Sequence, residues 1–315
     1  MNLSDAKHII LTSVYEDLIV FEILLRELKS KYQNGLYVVA VDDGSVKHPL
    51  TLEPFKGADV DGVVVTLKRN VGNQRAIAAG LRYVAERMDT HQALVVMDAD
   101  GEDVPSDIAK LLHSLESSGL DVIVSKRANR ADGVMFRVFY LVYKLLFRTL
   151  TGRPIAFGNF MAMRAAAARR LACMPELDLH VAATVLASKL RMGQCELDRG
   201  IRYAGESKMN FVTLTLHGFR GLMVFTEDVL VRVSLSCVLV AALSVFLAIV
   251  AVGFKLTGHS SPGWFSVALG VLVLIFLQTG TISLMTLLLT GVSRGKSAVN
   301  SSDQLLLIER TTETG

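Results

Sequence analysis

Short apolar runs alternate with amphipathic stretches from the start of the chain to Ser125. His8–Val14 reads as a strand. Leu18–Tyr32 reads as a helix with Ile19, Ile23, Leu24 and Leu28 on one stripe, and Leu36–Val41 as a strand that runs into Asp42-Asp43-Gly44-Ser45. Gly62–Leu67 follows as a strand, and Asn73–Arg87 as a helix capped by Asn70 or Asn73. Ala93–Met97 is a strand, Ser106–Ser117 a helix behind Pro105, and Val122–Ser125 a further strand. Brief apolar runs bounded by turn residues suit strands buried on both faces, and the helical segments between them supply the cover. This β-α-β order predicts an α/β fold with a mostly parallel sheet and helices on both faces.

The alternation then stops. Val134–Leu150 is rich in Phe, Tyr, Leu and Val, with Arg137, Lys144 and Arg148 interspersed. It is too charged to span a bilayer and very aromatic for a soluble surface. It reads as a helix lying at a membrane surface, or else as a core helix between the sheet and a later segment. Met209–Phe225 is a second candidate for the membrane surface. Val233–Phe254 and Ser260–Ser293 contain no charged residue. Each exceeds the roughly 20 residues that cross a bilayer core. Two spans, at about 231–254 and 264–290, joined by a short polar loop predict a transmembrane hairpin with both ends on one side.

Arg220 and Arg232 flank the first span, and Arg294 and Lys296 follow the second; the loop offers only Lys255 and His259. This asymmetry places the N-terminal domain and the tail in the cytoplasm. Residues 1–10 lack the pattern of a secretory signal. Hydrophobic residues make up 51% of the chain, and the excess lies near the C-terminus, which fits an integral membrane protein. A net charge of +3 is too small to indicate nucleic acid. Cys173, Cys195 and Cys237 are odd in number and lack metal-ligand spacing, as expected in a reducing compartment.

The candidate chemistry sits at strand ends. Val95-Val96-Met97-Asp98-Ala99-Asp100-Gly101-Glu102-Asp103 carries an apolar run into two carboxylates one residue apart. Parallel strands would bring Asp98 and Asp100 to the sheet edge that also holds Asp42 and Asp43, and open α/β sheets bind ligands at that edge. Alternating carboxylates suit Mg2+ or Mn2+ shared with phosphates. A carboxylate at Asp43 would meet a nucleoside, although Asp-Asp-Gly-Ser is also a good turn sequence.

Taken in order, several motifs resemble family 2 glycosyltransferases of the GT-A fold. They are Val41-Asp42-Asp43-Gly44-Ser45, Asn70-Val71-Gly72-Asn73 with Ala76 and Gly80, and Met97–Asp103. With the terminal hairpin, the chain is similar to polyprenyl-phosphate glycosyltransferases, the undecaprenyl- and dolichol-phosphate sugar transferases. Further matches are Lys126-Arg127-Ala128-Asn129-Arg130, Phe139-Tyr140, Met174-Pro175-Glu176 and Arg202–Lys208. The resemblance implies a metal-dependent, inverting transfer of a sugar from a UDP- or GDP-linked donor to a polyprenyl phosphate at a bacterial inner membrane. It implies a catalytic domain over 1–208, a juxtamembrane segment over 209–228, the hairpin within 229–293 and a tail over 294–315. By resemblance, Tyr15, Glu16 and Asp43 meet the nucleoside, and Asp98, Ala99 and Asp100 meet the donor, with Asp98 and Asp100 holding the metal. Arg127, Arg130, Arg202, Ser207 and Lys208 face the lipid phosphate, with Arg199 a further candidate. Asp100, Asn159 and Arg202 form the catalytic set, and relatives of this kind can be homo-oligomers.

The chain departs from that pattern at three places. Ser13-Val14-Tyr15-Glu16-Asp17 replaces a Pro-x-Tyr-Asn-Glu-like segment, and Glu102 stands where Gln is common. Gly158-Asn159-Phe160 replaces a Gly-Asp-Phe-like triplet, and an amide takes no proton at neutral pH. Asp178 and His180 are substitute bases by sequence alone. The acceptor, however, is a phosphomonoester with a second pKa of about 6, already anionic at neutral pH. Three other readings remain. One is a catalytically silent relative that binds nucleotide-sugar or a partner, and another a membrane-anchored nucleotidyltransferase. A processive synthase would carry Gln-x-x-Arg-Trp, whereas the one tryptophan is Trp264.

Overall fold

A computed structural model describes residues 2–33, 35–127, 134–154, 157–204, 211–258, 263–296 and 307–314. The chain forms two compact units. The first comprises Met1–Leu145, Arg153–Val224 and Val299–Gly315; the second comprises Leu146–Gly152 and Phe225–Ala298.

In the first unit, strands β1 (His8–Val14), β2 (Leu36–Asp42), β3 (Asp61–Leu67), β4 (Ala93–Val96), β5 (Val122–Arg127), β6 (Phe157–Arg164), β7 (Met192–Leu197) and β8 (Ile308–Glu313) make one sheet. Their order is β7-β5-β6-β4-β1-β2-β3-β8. Pairs β1/β2, β1/β4, β2/β3 and β5/β7 are parallel, while β6 runs antiparallel to β4 and β5, and β8 antiparallel to β3. The sheet is therefore mostly parallel, as the sequence pattern predicts. Reversed β6 brings its first residues to the edge where the parallel strands end.

The period-2 alternation of side chains builds two cores. Ile9 and Leu11 of β1 pack with α3 (Asn73–Arg87), α6 (Ala165–Ala172) and α7 (Val181–Ala187) on one face. Ile10 packs on the other face with α1 (Leu18–Lys31), α2 (Glu53–Ala58) and α4 (Ile108–Ser118). The helix α3 lies so close to the sheet that a Cβ on Gly80 would come within 2.4 Å of Leu11 and 2.6 Å of Val41. Neither Asn70 nor Asn73 caps α3. Its N-cap is Gly72 at φ 88°, and Asn73 is the first helical residue. This frees the Asn73 amide for the cleft.

Two further helices are α5 (Val134–Thr151), at the place of the first aromatic segment, and α8 (Phe211–Met223), at the second. In the second unit, α9 (Thr226–Leu256) and α10 (Trp264–Lys296) pack as an antiparallel hairpin, with the Ser234 and Thr286 hydroxyls 2.5 Å apart. Thr226–Leu256 and Trp264–Thr286 are long and apolar enough to cross a membrane, with mean hydropathies of 2.9 and 2.2. Their large apolar side chains, Leu239, Phe246, Ile249, Val267 and Leu274 among them, are exposed. A water-soluble core helix would bury such residues.

Candidate active site

The apolar strand β4 ends at Val96, and the chain turns through Asp98-Ala99-Asp100, all half-buried. Buried Asp103 holds this turn by accepting the Asp98 N–H at 2.9 Å. Continuing the β4/β6 register, in which Val96 faces Met161, brings Asp98 level with Asn159. Val96 and Met161 share the α3 face, so Asp98 and Asn159 also project toward α3. Adjacent residues at the start of that helix reach both. Asn73 Nδ2 donates to Asp98 Oδ1 at 3.3 Å, and Gln74 Nε2 donates to Asn159 Oδ1 at 3.2 Å. Ser13, at the end of β1, donates to Asn73 Oδ1 at 2.5 Å.

The segment after β7 laces onto the acidic turn. Gly200 N–H donates to the Glu102 carbonyl at 2.9 Å, and Tyr203 N–H donates to the Asp100 carbonyl at 3.0 Å. Gly101, at φ 88°, lies under the Tyr203 ring, and a Cβ there would meet the ring at 2.9 Å. Arg202 pairs with Asp100 at 2.7 Å and with Glu102 at 3.2 Å, and Arg199 also pairs with Glu102. Arg202, expected at the lipid phosphate, is therefore held against two carboxylates. Burial raises the Asp100 pKa, and the nearby Asp98 charge adds to it. Burial also pushes against ionised Glu102, but the two guanidiniums outweigh it and hold its pKa below the usual carboxylate range. Glu102 thus ties both arginines down, a task an amide in its place would perform without charge.

The Asp-Asp-Gly-Ser carboxylates serve the fold locally. Asp42 is fully buried and accepts from the Ser45 and Leu50 N–H groups at 3.0 and 2.9 Å. Asp43 accepts from the Val71 and Gly72 N–H groups at 2.7 and 2.9 Å, and burial raises its pKa. Both oxygens of Asp43 hold the loop that leads into α3. Glu16, at φ 51°, accepts three N–H bonds from Val46, Lys47 and His48, which lower its pKa. Tyr15 beside it is exposed.

Neither substitute base is available as one. Asp178 forms a fork with buried Arg82, with contacts of 2.7 and 3.2 Å, and so clamps the turn Pro175–Asp178 to α3. His180 is buried, its Nδ1 caps α7 by accepting from Ala183 N–H at 3.2 Å, and burial lowers its pKa to about 3. Its ring lies against that of His217 on α8, with centroids 4.3 Å apart. Burial also lowers the His217 pKa, and the Asp98 charge partly offsets the shift. The side chain of Arg127, and residues Arg130, Ser207 and Lys208, lie outside the described residues.

Gln74 escaped the sequence reading. A signal was present: it stands at i with Ala78 at i+4 and Leu81 at i+7, a polar residue on the buried stripe of α3. A divalent cation fits the donor set. Among the described residues Asp98 Oδ1 accepts only the long bond from Asn73, and half-buried Asp100 lies beside it. Among the described residues no three His, Cys, Asp or Glu side chains form a ready cage. Two carboxylates completed by phosphate oxygens match such a site.

A mostly parallel sheet with the reversed strand β6 beside β4, and an Asp-x-Asp where β4 ends, make a GT-A-like fold. Residues 10–172, just over half of the chain, match Glycosyl transferase family 2, and the chain belongs to that family. An uncharacterized glycosyltransferase, YkoT, of Bacillus subtilis (strain 168) is 25% identical, covering 85% of this chain and 77% of its own. The undecaprenyl-phosphate 4-deoxy-4-formamido-L-arabinose transferase of Pectobacterium atrosepticum is 28% identical over 70% of this chain, which spans 66% of that protein. Among solved structures, glucosyl-3-phosphoglycerate synthase from Mycobacterium tuberculosis, in complex with Mn2+, UDP-glucose and phosphoglyceric acid, has the same fold. Its TM-score is 0.52 at 14% identity, covering 71% of this chain and 79% of that one.

Proposed function

We propose that this glycosyltransferase moves a sugar from a nucleotide-sugar to a polyprenyl phosphate at a membrane, with its catalytic unit cytoplasmic. The observation that carries the reading is an Asp-x-Asp at the strand-end edge of a family 2 glycosyltransferase sheet, in one chain with two helices of membrane-spanning length. The name of the Pectobacterium relative supports an undecaprenyl phosphate acceptor and, for such a source, an inner membrane. Tyr15, Glu16 and Asp43 are the candidate nucleoside contacts. Arg127, Arg130, Ser207 and Lys208 are candidates for the lipid phosphate.

Asp98 and Asp100 would hold Mg2+ or Mn2+, which neutralises the leaving diphosphate when bound. The chain's own residues set the geometry. Asn73 and Asp103 fix Asp98, while Arg202 and the Tyr203 backbone fix Asp100. No side chain has to remove a proton, because the acceptor phosphate is ionised above about pH 6. Arg202, paired with Asp100 and Glu102, would exchange a carboxylate for a phosphate, since its fork suits either. Catalysis then rests on alignment of the anionic oxygen with the anomeric carbon.

The test is turnover in detergent with labelled nucleotide-sugars and polyprenyl phosphate. Wild type is expected to form a lipid-phosphate sugar, chelator to stop it, and Asp98→Asn to remove most of it while the protein stays folded. Full activity in chelator would overturn the metal, and release of diphosphate from a nucleoside triphosphate would favour a nucleotidyltransferase.

A further inference from the structure

We propose that Asn159 donates a hydrogen bond to an anionic phosphoryl oxygen, and that Gln74 is the positioning residue that fixes it in this sense. The inference rests on the transferase reading above. It begins at a backbone amide whose polarity cannot reverse. The Val181 N–H at the start of α7 can only donate, and it meets the Gln74 side chain at 2.8 Å. The atom it meets must be Oε1, so Nε2 is the end that faces Asn159. A donor there requires Asn159 to offer Oδ1. Two hydrogen bonds thus transmit the sense of a backbone N–H to the cleft, and remove the usual ambiguity of an amide's orientation.

The Asn159 Nδ2 group then projects away from Gln74, and among the described residues nothing accepts from it. Gln74 is 5% exposed, so water competes little for the relay. Asn159 itself is half-buried where β6 begins, level with Asp98 in the strand register. Asn73, next to Gln74 in sequence, already touches Asp98. An aspartate at 159 would accept from Gln74 equally well, but would present its second oxygen to the cleft. Asparagine presents two N–H donors instead. Both substrates of the proposed reaction bring phosphoryl oxygens, which only accept and which an aspartate would repel. The relay therefore makes position 159 an anion contact and not a base.

Gln74→Glu reverses the relay. Its carboxylate still accepts from Val181 N–H and now accepts from Asn159 Nδ2, which turns Oδ1 to the cleft. Asn159→Leu removes the donor without adding charge. Equilibrium binding of farnesyl phosphate, and separately of UDP and GDP with Mn2+, should be measured for wild type, both variants and the double variant, with thermal unfolding as the check on folding. Each single variant is expected to weaken one class of probe by about tenfold or more. Loss of farnesyl phosphate assigns the contact to the acceptor, and loss of UDP or GDP assigns it to the donor. In the Asn159→Leu background, Gln74→Glu should cost less than about twofold further, because its effect passes through Asn159. An equal cost in both backgrounds marks a plain charge effect and overturns the relay. Unchanged binding of every probe by folded single variants overturns the donor role. If wild type binds no probe at all, the transferase reading fails first, and this inference with it.

Discussion

His180 shows what a single buried side chain does to the pH response. Its Nδ1 must carry a lone pair to accept from Ala183 N–H, so the cap exists only with a neutral ring. Burial holds its pKa at about 3, below the unfolded value of about 6.5. Between those values the unfolded chain binds a proton that the folded chain refuses. Stability therefore falls as pH drops through about 6.5, by at most about 1.4 kcal/mol per pH unit, and the loss levels off near pH 3. His217 adds to the same trend, because burial lowers its pKa too. His180→Asn keeps an acceptor for the cap and removes one titration. Thermal unfolding at pH 7 and pH 5 should show a smaller drop for this variant than for wild type. Equal drops would mean that His180 is not what titrates. At the same scale, Arg82 and Asp178 form a buried pair, and breaking it should cost about 3–5 kcal/mol. Arg82→Met would release the Pro175–Asp178 turn and, with it, the α7 start that orients Gln74. A melting temperature within about 2 °C of wild type would contradict that role.

At the scale of elements, legibility followed burial as far as β5, but β6 went unread although Phe160–Met163 are buried, because Gly158 and Asn159 interrupt its apolar run. Strands β1 to β4 are nearly all apolar because helices cover both faces, and their positions could be read within a residue or two. Strand β7 alternates weakly, and β8 reads Ile-Glu-Arg-Thr-Thr-Glu with exposed residues, so neither carries a hydrophobic signal. Their ladder bonds are backbone bonds, which sequence does not mark. The site divides in the same way. Asp98 and Asp100 were legible because an apolar strand points at them. The contacts of Ser13 with Asn73 and of Gln74 with Asn159 join residues 60 and 85 apart in sequence, and only the sheet order creates them. The tail strand makes a testable case. Leu307 and Ile308 pack against the α3-side core, Thr314 N–H donates to the Gly62 carbonyl at 2.9 Å, and Tyr83 donates to Glu313 at 3.1 Å. Removing residues 307–315 uncovers the β3 edge and about 1–3 kcal/mol of apolar burial. The truncated protein should melt several degrees lower in detergent and aggregate faster. An unchanged melt would mean that β8 only rests on the sheet.

For the whole molecule, β8 constrains topology more firmly than the basic residues do. The hairpin α9–α10 lies in sequence between α8, which precedes it, and β8, which pairs with β3 in the sheet of the first unit. A tail hydrogen-bonded into that sheet must be on the same side of a membrane as the sheet. The chain must therefore cross an even number of times between Met223 and Ile308. If the two helices of sufficient length each cross once, the connection around Thr257–Gly258 is expected on the opposite side. The charge pattern then predicts which side is which. Arg220, Arg232, Arg294 and Lys296 flank the hairpin's open end, and by the positive-inside rule that end is expected to be cytoplasmic, where nucleotide-sugars would reach the acidic turn. In a background with Cys173, Cys195 and Cys237 replaced by serine, a cysteine at exposed Thr257 should react with an impermeant thiol reagent on intact cells. One at exposed Glu309 should react only after the membrane is opened. Labelling of both from one side would show that the hairpin does not cross. The reversed pattern would keep the hairpin but put the cleft on the far side from its proposed donor.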